Sequence, residues 1–209
     1  MSETSQRIHA FILAAGASRR FGGIKLLAPI PSIQKEPHKP QSIIEHCVTQ
    51  VHLARFDSYS VVLGANAEAI DAALKVKKQQ WGFATHINQN WQQGMGVTIA
   101  AAVSLATSSH IAICAADQIA IKSEHFSRLI AASHKHPTSI IAAKYSGRLG
   151  VPCIFPSAYF EELANLTGDT GAKNLIIKER RNVISIDLPE GVFDIDTADD
   201  LNQFSDRDF

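Results

Sequence analysis

The stretch "FILAAGASRRFGGIKLL", residues 11–27, decides how the rest of the chain is read. Phe11 to Ala15 read as the end of a strand. The run then breaks into Gly16, Gly22 and Gly23, interleaved with Ser18, Arg19 and Arg20 and followed by Lys25, before apolar residues return. Glycines open backbone conformations closed to residues with a β-carbon. The serine, arginines and lysine fill the loop with donors and positive charge. A glycine-rich basic loop at the carboxyl end of a strand is built to hold an anion, and a phosphate is the expected one.

Outward from this loop, apolar β-branched runs alternate with longer amphipathic stretches. "IHAFILAA" leads to "SIIEHCVTQVHLARF", "YSVVLGA" to "EAIDAALKVKKQQ", "GFATHINQ" to "MGVTIAAAVSLAT" and "HIAICAAD" to "SEHFSRLIAASHK", with "TSIIAAKY" next. Strands apolar throughout and joined by helical crossovers predict an α/β fold, three-layer and Rossmann-like, with a mostly parallel sheet covered on both faces. Ligands in such folds sit outside the carboxyl ends of the strands, at a switch in strand order. After Tyr145 the rhythm changes and predicts a partly antiparallel C-terminal half. "SGRLGVPCIF" reads as a loop and short strand, and "SAYFEELANL" as a helix capped by Ser157. "GDTGAKNLIIKER" is a glycine-bracketed loop entering another helix, and "NVISIDL" and "VFDID" read as short strands. "TADDLNQF" opens a last helix with Thr197 as its cap. The proline-rich insert at 31–41 is expected to be a surface loop. One domain over 1–209 is expected, in two halves at about 8–120 and about 121–205.

Composition narrows the function classes. Of 209 residues, 45% are hydrophobic and 19% charged, and 20 basic side chains balance 20 acidic ones, so no basic stripe suggests nucleic acid. No apolar run has the length of a membrane span, and the polar "MSETSQR" is unlike a signal peptide. Cys47, Cys114 and Cys153 show no metal-site spacing and read as buried free thiols in a reducing cytoplasm. His134 and His136 form an H-x-H with no evident third ligand, and solvated histidines are the expected reading.

Asp117 follows an apolar strand directly, at the sheet edge of the first loop. A hard oxygen ligand beside phosphates suits Mg2+, with a turn cap as the plain alternative. Asp194 and Asp196 alternate on the expected strand, so both face one way. Asp196 is the choice for a second metal ligand and Asp194 a further candidate. Asp199 and Asp200 lie in a first helical turn, where negative charge is favourable anyway. Gly94 and Gly96 stand at a helix start, where free N–H groups can approach a nucleotide or simply begin the helix. Trp91 beside them is read as packing or rim. Gly168 to Lys173 offer N–H groups and one cation that could meet a phosphate, or else merely join two helices.

The loop L-A-A-G-x-S-x-R-x-G-x-x-K, carried by Leu13, Ala14, Ala15, Gly16, Ser18, Arg20, Gly22 and Lys25, is neither a P-loop nor a dinucleotide fingerprint. It resembles the signature loop of the MobA-like nucleotidyltransferases, which activate sugars, alcohols and molybdopterin with a nucleoside triphosphate. The stretch "NQNWQQGMGVT", with Thr98 near the family's serine, is similar to the branch of molybdenum cofactor cytidylyltransferases. So are "YSGRLGVPCIF", "LTGDTGAKNL" and "DIDTADDL", and the resemblance runs from about Ile8 to Leu201. It implies the nucleotide-diphospho-sugar transferase type of fold. Loop residues 13–16 and 18, with Gly94, Gly96 and Thr98, would hold the nucleotide. Arg20 and Lys25 would neutralise its phosphates, and Asp117 and Asp196 would hold Mg2+. Gly168, Gly171 and Lys173 would meet the acceptor. "LAAG" favours CTP, and the implied acceptor is molybdenum cofactor, with a molybdoenzyme apoprotein as a further partner. Two departures stand out: Ile119 replaces the proline of the family's D-x-P, and Val151 replaces a histidine on the acceptor side. They leave open a transferase acting on a sugar or polyol phosphate, or a non-catalytic module that delivers cofactor.

Overall fold

A computed structural model describes residues 6–30 and 41–205, so the proline-rich insert lies outside the described residues except for Gln41. Seven strands form a single sheet: β1 (Ile8–Ala14), β2 (Ser58–Leu63), β3 (Ala84–Ile87), β4 (His110–Ala115), β5 (Ile140–Tyr145), β6 (Arg148–Pro156) and β7 (Val183–Asp187). Their order is β3-β2-β1-β4-β6-β5-β7. All pairings are parallel except those of β6, which runs antiparallel to β4 and β5. The mixed sheet thus has the mostly parallel half and the partly antiparallel half that the sequence predicts.

The helices are α1 (Ile43–Leu53), α2 (Ala67–Trp81), α3 (Met95–Val103), α4 (Ser123–Lys135), α5 (Phe160–Ala164), α6 (Lys173–Lys178) and α7 (Ala198–Ser205). Alternation along β1 sends Ile8, Ala10, Ile12 and Ala14 into the layer made by α1, α2 and α4, and Phe11 and Leu13 into the layer made by α3, α5 and α6. Both sheet faces are therefore covered, which is why the central strands are mostly apolar. The chain leaves β1 toward β2 and β3 on one side and returns to β4 on the other. The β1–β4 boundary, with Leu13 level with Ala115, is the switch point, and the first loop and Asp117 both open from it.

Two local expectations are corrected. Ser157 does not cap a helix; its segment begins as a 3-10 turn over Ser157–Tyr159, and the Ser157 N–H donates to Ser109 O at 2.9 Å. "VFDID" forms no strand: a 3-10 turn covers Pro189–Val192, and residues 193–196 are irregular. The Thr197 cap holds, its Oγ1 accepting from Asp200 N–H at 3.2 Å while Asp200 Oδ2 accepts from Thr197 N–H at 2.8 Å.

One polar group on the sheet carries a pH prediction. His9 Nδ1 lies 2.7 Å from Ser58 Oγ and Nε2 lies 2.9 Å from Ser60 Oγ. Partial burial and the nearby His86 push its pKa down to about 4. The unfolded chain takes up this proton first, so the His9 contribution is complete above about pH 6.5 and is lost as pH falls toward 4. In urea denaturation at pH 7 and pH 4, His9→Gln is expected to reduce the acid-induced loss of stability by about 1–2 kcal/mol, a value discounted for solvent screening of a half-buried ring. An unchanged loss would show that the proton on His9 costs the fold nothing.

Candidate functional site

The loop after β1 crosses the switch point and closes with a 3-10 turn over Lys25–Leu27. Leu26 is buried in the core, and the turn it anchors carries Lys25 inward until only 7% of that residue is exposed. Left-handed backbone occurs at Ser18 (φ 52°) and Gly22 (φ 77°) rather than at Gly16 or Gly23. No atom stands within 4 Å of where a Gly16 β-carbon would be, so its bare face leaves open space in the cleft.

Lys25 Nζ donates to Asp117 Oδ2 at 2.6 Å and lies 3.9 Å from Asp196 Oδ1. Arg20, on the exposed side of the loop, reaches Asp196 Oδ2 at 2.8 Å. The four charged residues singled out in the sequence are therefore one cluster, assembled from three separate segments. Asp117 comes from the turn after β4. Asp196 arrives on the irregular stretch before α7, where Ile195 is buried and its N–H donates to Asp117 O at 3.3 Å. Asp194 belongs to the same neighbourhood. Partial burial of its carboxyl, together with the negative charges of Asp117 and Asp196, pushes its pKa up to about 6.

Among the described residues, no group of three or more His, Cys, Asp or Glu side chains could hold a metal ion. Asp117 and Asp196 supply two carboxylates that reach one ammonium. A divalent ion there would complete its coordination with phosphate oxygens and water, the usual arrangement for Mg2+.

Three clefts surround the loop. The first, of about 290 Å3, is lined by Leu13, Ala14, Gly16, Ser18, Arg20, Lys25 and Asp196. The second, of about 400 Å3, takes in Ala15, Gly16, Ser18, Gly94, Thr98 and Asp117. The third, of about 340 Å3, has Gly171 and Lys173 at its rim and a mainly apolar wall that includes Ile99, Leu149, Val151 and Ile176. Leu13 lines all three, and Asp169 lines the second and third, so the carboxylate of Asp169 marks the seam between them.

Gly96 and Gly168 line none of these clefts. The Gly96 N–H donates to Gly168 O at 2.7 Å. That bond corrects the reading of a free N–H at this glycine: the donor is already used, and its work is to lock the start of α3 to the loop before α6. A β-carbon on Gly96 would meet Thr167 O at 2.7 Å and Gly168 O at 2.9 Å. Gly94, at φ +110°, has no space either, because a β-carbon would lie 2.5 Å from Asp169 Oδ1. Its N–H donates to Trp91 O at 3.1 Å. Thr98 is 2% exposed, accepts from Asn88 Nδ2 at 3.1 Å and donates to Gly94 O at 3.3 Å, so it too braces the helix start. Gly96→Ala is expected to lower stability by about 1–3 kcal/mol through overpacking and to weaken nucleotide binding as the two loops part. Thermal melts and nucleotide titration check it, and an unshifted Tm would show that the loops can give way.

Sequence reading missed three neighbours of the site. Asp169 was within the quoted "GDTGA" but was not singled out. Tyr145 and Arg148, at the β5–β6 hairpin, line the third cleft, and only a known strand order brings them there. Trp91, read as rim packing, lines the second cleft.

Comparison with known proteins shows the family of the chain. The family described as the MobA-like NTP transferase domain matches residues 10–183. The nicotine blue oxidoreductase of Paenarthrobacter nicotinovorans is 27% identical over 202 residues, covering 91% of this chain and 92% of that protein. The purine catabolism protein PucB of Bacillus subtilis is 29% identical over 170 residues, 78% of each chain. A crystal structure of Rv0371c from Mycobacterium tuberculosis superposes with a TM-score of 0.79 at 25% identity, covering 98% of this chain and 100% of that one. A second structure of Rv0371c, a complex with manganese, gives a TM-score of 0.74 at 23% identity, covering 97% and 100%. The matched region runs from the first strand through the basic loop, Asp117 and the loop before α6, and the chain belongs to the MobA-like family of nucleotidyltransferases.

Proposed function

We propose that the protein transfers a nucleoside monophosphate from CTP to the phosphate of molybdenum cofactor, releasing pyrophosphate with Mg2+ as the metal. The observation that carries this reading is the buried Lys25 paired at 2.6 Å with Asp117 beside the glycine loop. A cation and a carboxylate so placed can separate onto a phosphate oxygen and a metal ion respectively, which is what a metal–triphosphate complex requires. An acceptor phosphate oxygen forms a bond to the α-phosphorus, the bond from that phosphorus to the bridging oxygen breaks, and the electron pair leaves with pyrophosphate. No protein nucleophile is needed. Arg20 and Lys25 would counter the charge of the triphosphate, the residue 13–18 loop would cradle it, and Asp117 and Asp196 would hold the ion. A bound divalent ion supplies charge neutralisation at the phosphates.

In this reading residues 8–120 form the nucleotide half and 121–205 the acceptor half, with Gly168, Gly171 and Lys173 toward the acceptor. The third cleft sets an apolar wall of Ile99, Leu149, Val151 and Ile176 beside the polar side chains of Tyr145, Arg148, Asp169 and Lys173, a lining that suits a flat ring system bearing polar groups. Val151 adds to that wall instead of a histidine. The manganese complex of Rv0371c supports a divalent ion in this fold. Although one relative is named an oxidoreductase, the paired cations and carboxylates of this chain suit phosphate and metal rather than hydride. Three buried free thiols suit a reducing cytoplasm, and no helix among the described residues is long and apolar enough to cross a membrane. A molybdoenzyme apoprotein would receive the product.

The test is pyrophosphate release with Mg2+ and each of CTP, GTP, ATP and UTP, with and without molybdenum cofactor. Cofactor-dependent release with CTP alone is expected. Release with a sugar or polyol phosphate instead would replace the acceptor, and saturable nucleotide binding without turnover on any acceptor would leave a delivery module.

A further inference from the structure

Gln118 follows Asp117 directly and is 4% exposed. Nothing in the transfer reaction uses it. Its Nε2 donates to Gly191 O at 2.9 Å, joining residues 73 positions apart. The Tyr145 hydroxyl and the Asp194 carboxyl lie near the same amide, whose Oε1 is buried and accepts no hydrogen bond among the described residues. Gly191 lies flat on the Tyr145 ring, where a β-carbon would come within 2.5 Å of Cδ1. Its N–H donates to Leu188 O at 2.9 Å, and the Leu188 N–H donates to Lys144 O at 2.9 Å near the end of β5. Beyond Gly191 the chain belongs to no strand; Phe193 N–H donates to Glu190 O and Asp194 N–H to Val192 O, both at 3.2 Å, and Ile195 N–H meets Asp117 O at 3.3 Å. Asp196 comes next. The stretch that delivers Asp196 is therefore moored to the Asp117–Gln118 turn at two points, one of them the Gln118 side chain.

We infer that Gln118 is a positioning residue for the divalent-ion site, setting where Asp196 stands relative to Asp117 through its hold on Gly191. The inference rests on the reading of Asp117 and Asp196 as the metal carboxylates. Asp117 is placed by a central strand, but Asp196 sits on irregular backbone with no ladder to fix it. An ion held by two side-chain carboxylates binds tightly only if both are already aimed at it, since freedom in either must be lost on binding. Removing the amide leaves a carbonyl oxygen without its donor, and the segment relieves this by moving toward water. Loss of such supporting bonds typically weakens metal affinity by about 10–100-fold.

The test is a titration of the full-length chain with Mn2+ in the presence of CTP, reading free Mn2+ by electron paramagnetic resonance. Gln118→Leu is expected to weaken Mn2+ binding by about 10–100-fold, while CTP binding in EDTA stays unchanged. Gly191→Ala, which pushes the same segment off Tyr145 without touching the amide, is expected to do the same and carries the test should Gln118→Leu fail to fold. Wild-type Mn2+ affinity in both folded variants overturns the inference alone. An equal loss of CTP binding in EDTA also overturns it, because the damage then reaches the whole cleft. If the wild-type chain with CTP binds no Mn2+ beyond what CTP binds by itself, the metal reading of Asp117 and Asp196 falls with it.

Discussion

Asp117→Ala is expected to lower turnover by about 1000-fold or more while leaving nucleotide binding in place. Its carboxylate is a metal ligand in the proposed site, and loss of one well-aimed electrostatic contact in a phosphoryl or acyl transfer site costs about 100–1000-fold alone. Here the change also misplaces the ion on which the remaining charge neutralisation depends. Nucleotide binding behaves differently, because the glycine loop, Arg20 and Lys25 remain. In EDTA the variant should bind CTP no more weakly than wild type, since a negative charge beside the triphosphate has been removed. The fold should tolerate the change, as Lys25 still has Asp196 at 3.9 Å. Pyrophosphate release and metal-free equilibrium titration check the two halves of this expectation. Turnover within tenfold of wild type would remove Asp117 from the metal site.

Lys25→Met is expected to damage catalysis and stability together, with a loss of stability that grows as pH rises. Turnover should fall by about 100–1000-fold through loss of charge stabilisation on the triphosphate. In the fold, the buried ammonium holds together Asp117 and Asp196, and it also opposes the upward shift of Asp194. Without it the carboxylates repel and the pKa of Asp194, already about 6, rises further. A carboxyl whose folded pKa lies above its unfolded value binds its proton more tightly in the native state. Its stabilising contribution is thus present at low pH and lost as pH rises through the folded value. Lys25→Met should accordingly be closer to wild-type stability at pH 5 than at pH 8, with the gap widening by about 1–2 kcal/mol after discounting for solvent screening. Urea titrations at the two pH values check the sign. A gap that narrows toward pH 8 would mean that Lys25 does not counter these carboxylates.

Much of the molecule was legible in sequence. Continuous apolar runs such as 10–14 and 111–115 announce strands buried on both faces, and 3.6-residue periodicity announces the helices between them. The capping pair of Thr197 and Asp200 reads from four residues. Less legible was anything whose partner lies far along the chain. "VFDID" has the alternation of a strand, yet it has no ladder, because β7 already occupies the sheet edge beside β5. Gly96 looked like an open donor, but its N–H is taken by a carbonyl from a loop 72 residues further on. Asp169 carried no local signal at all, since only the close approach of Gly94 places it between two clefts.

Local sequence is enough to dictate the α/β alternation, the basic glycine loop at a strand end and an aspartate at the end of another strand. Periodicity, glycine placement and charge within a dozen residues suffice for those. Tertiary structure alone decided that Lys25 meets Asp117 across 92 residues and that Arg20 meets Asp196 across 176. Such meetings depend on strand order, which places β4 against β1, and on a few buried polar bonds that draw the irregular segment of Asp196 back to the same edge. Neither is written in any local stretch, because each is settled by which surfaces can be buried together once the whole chain has collapsed.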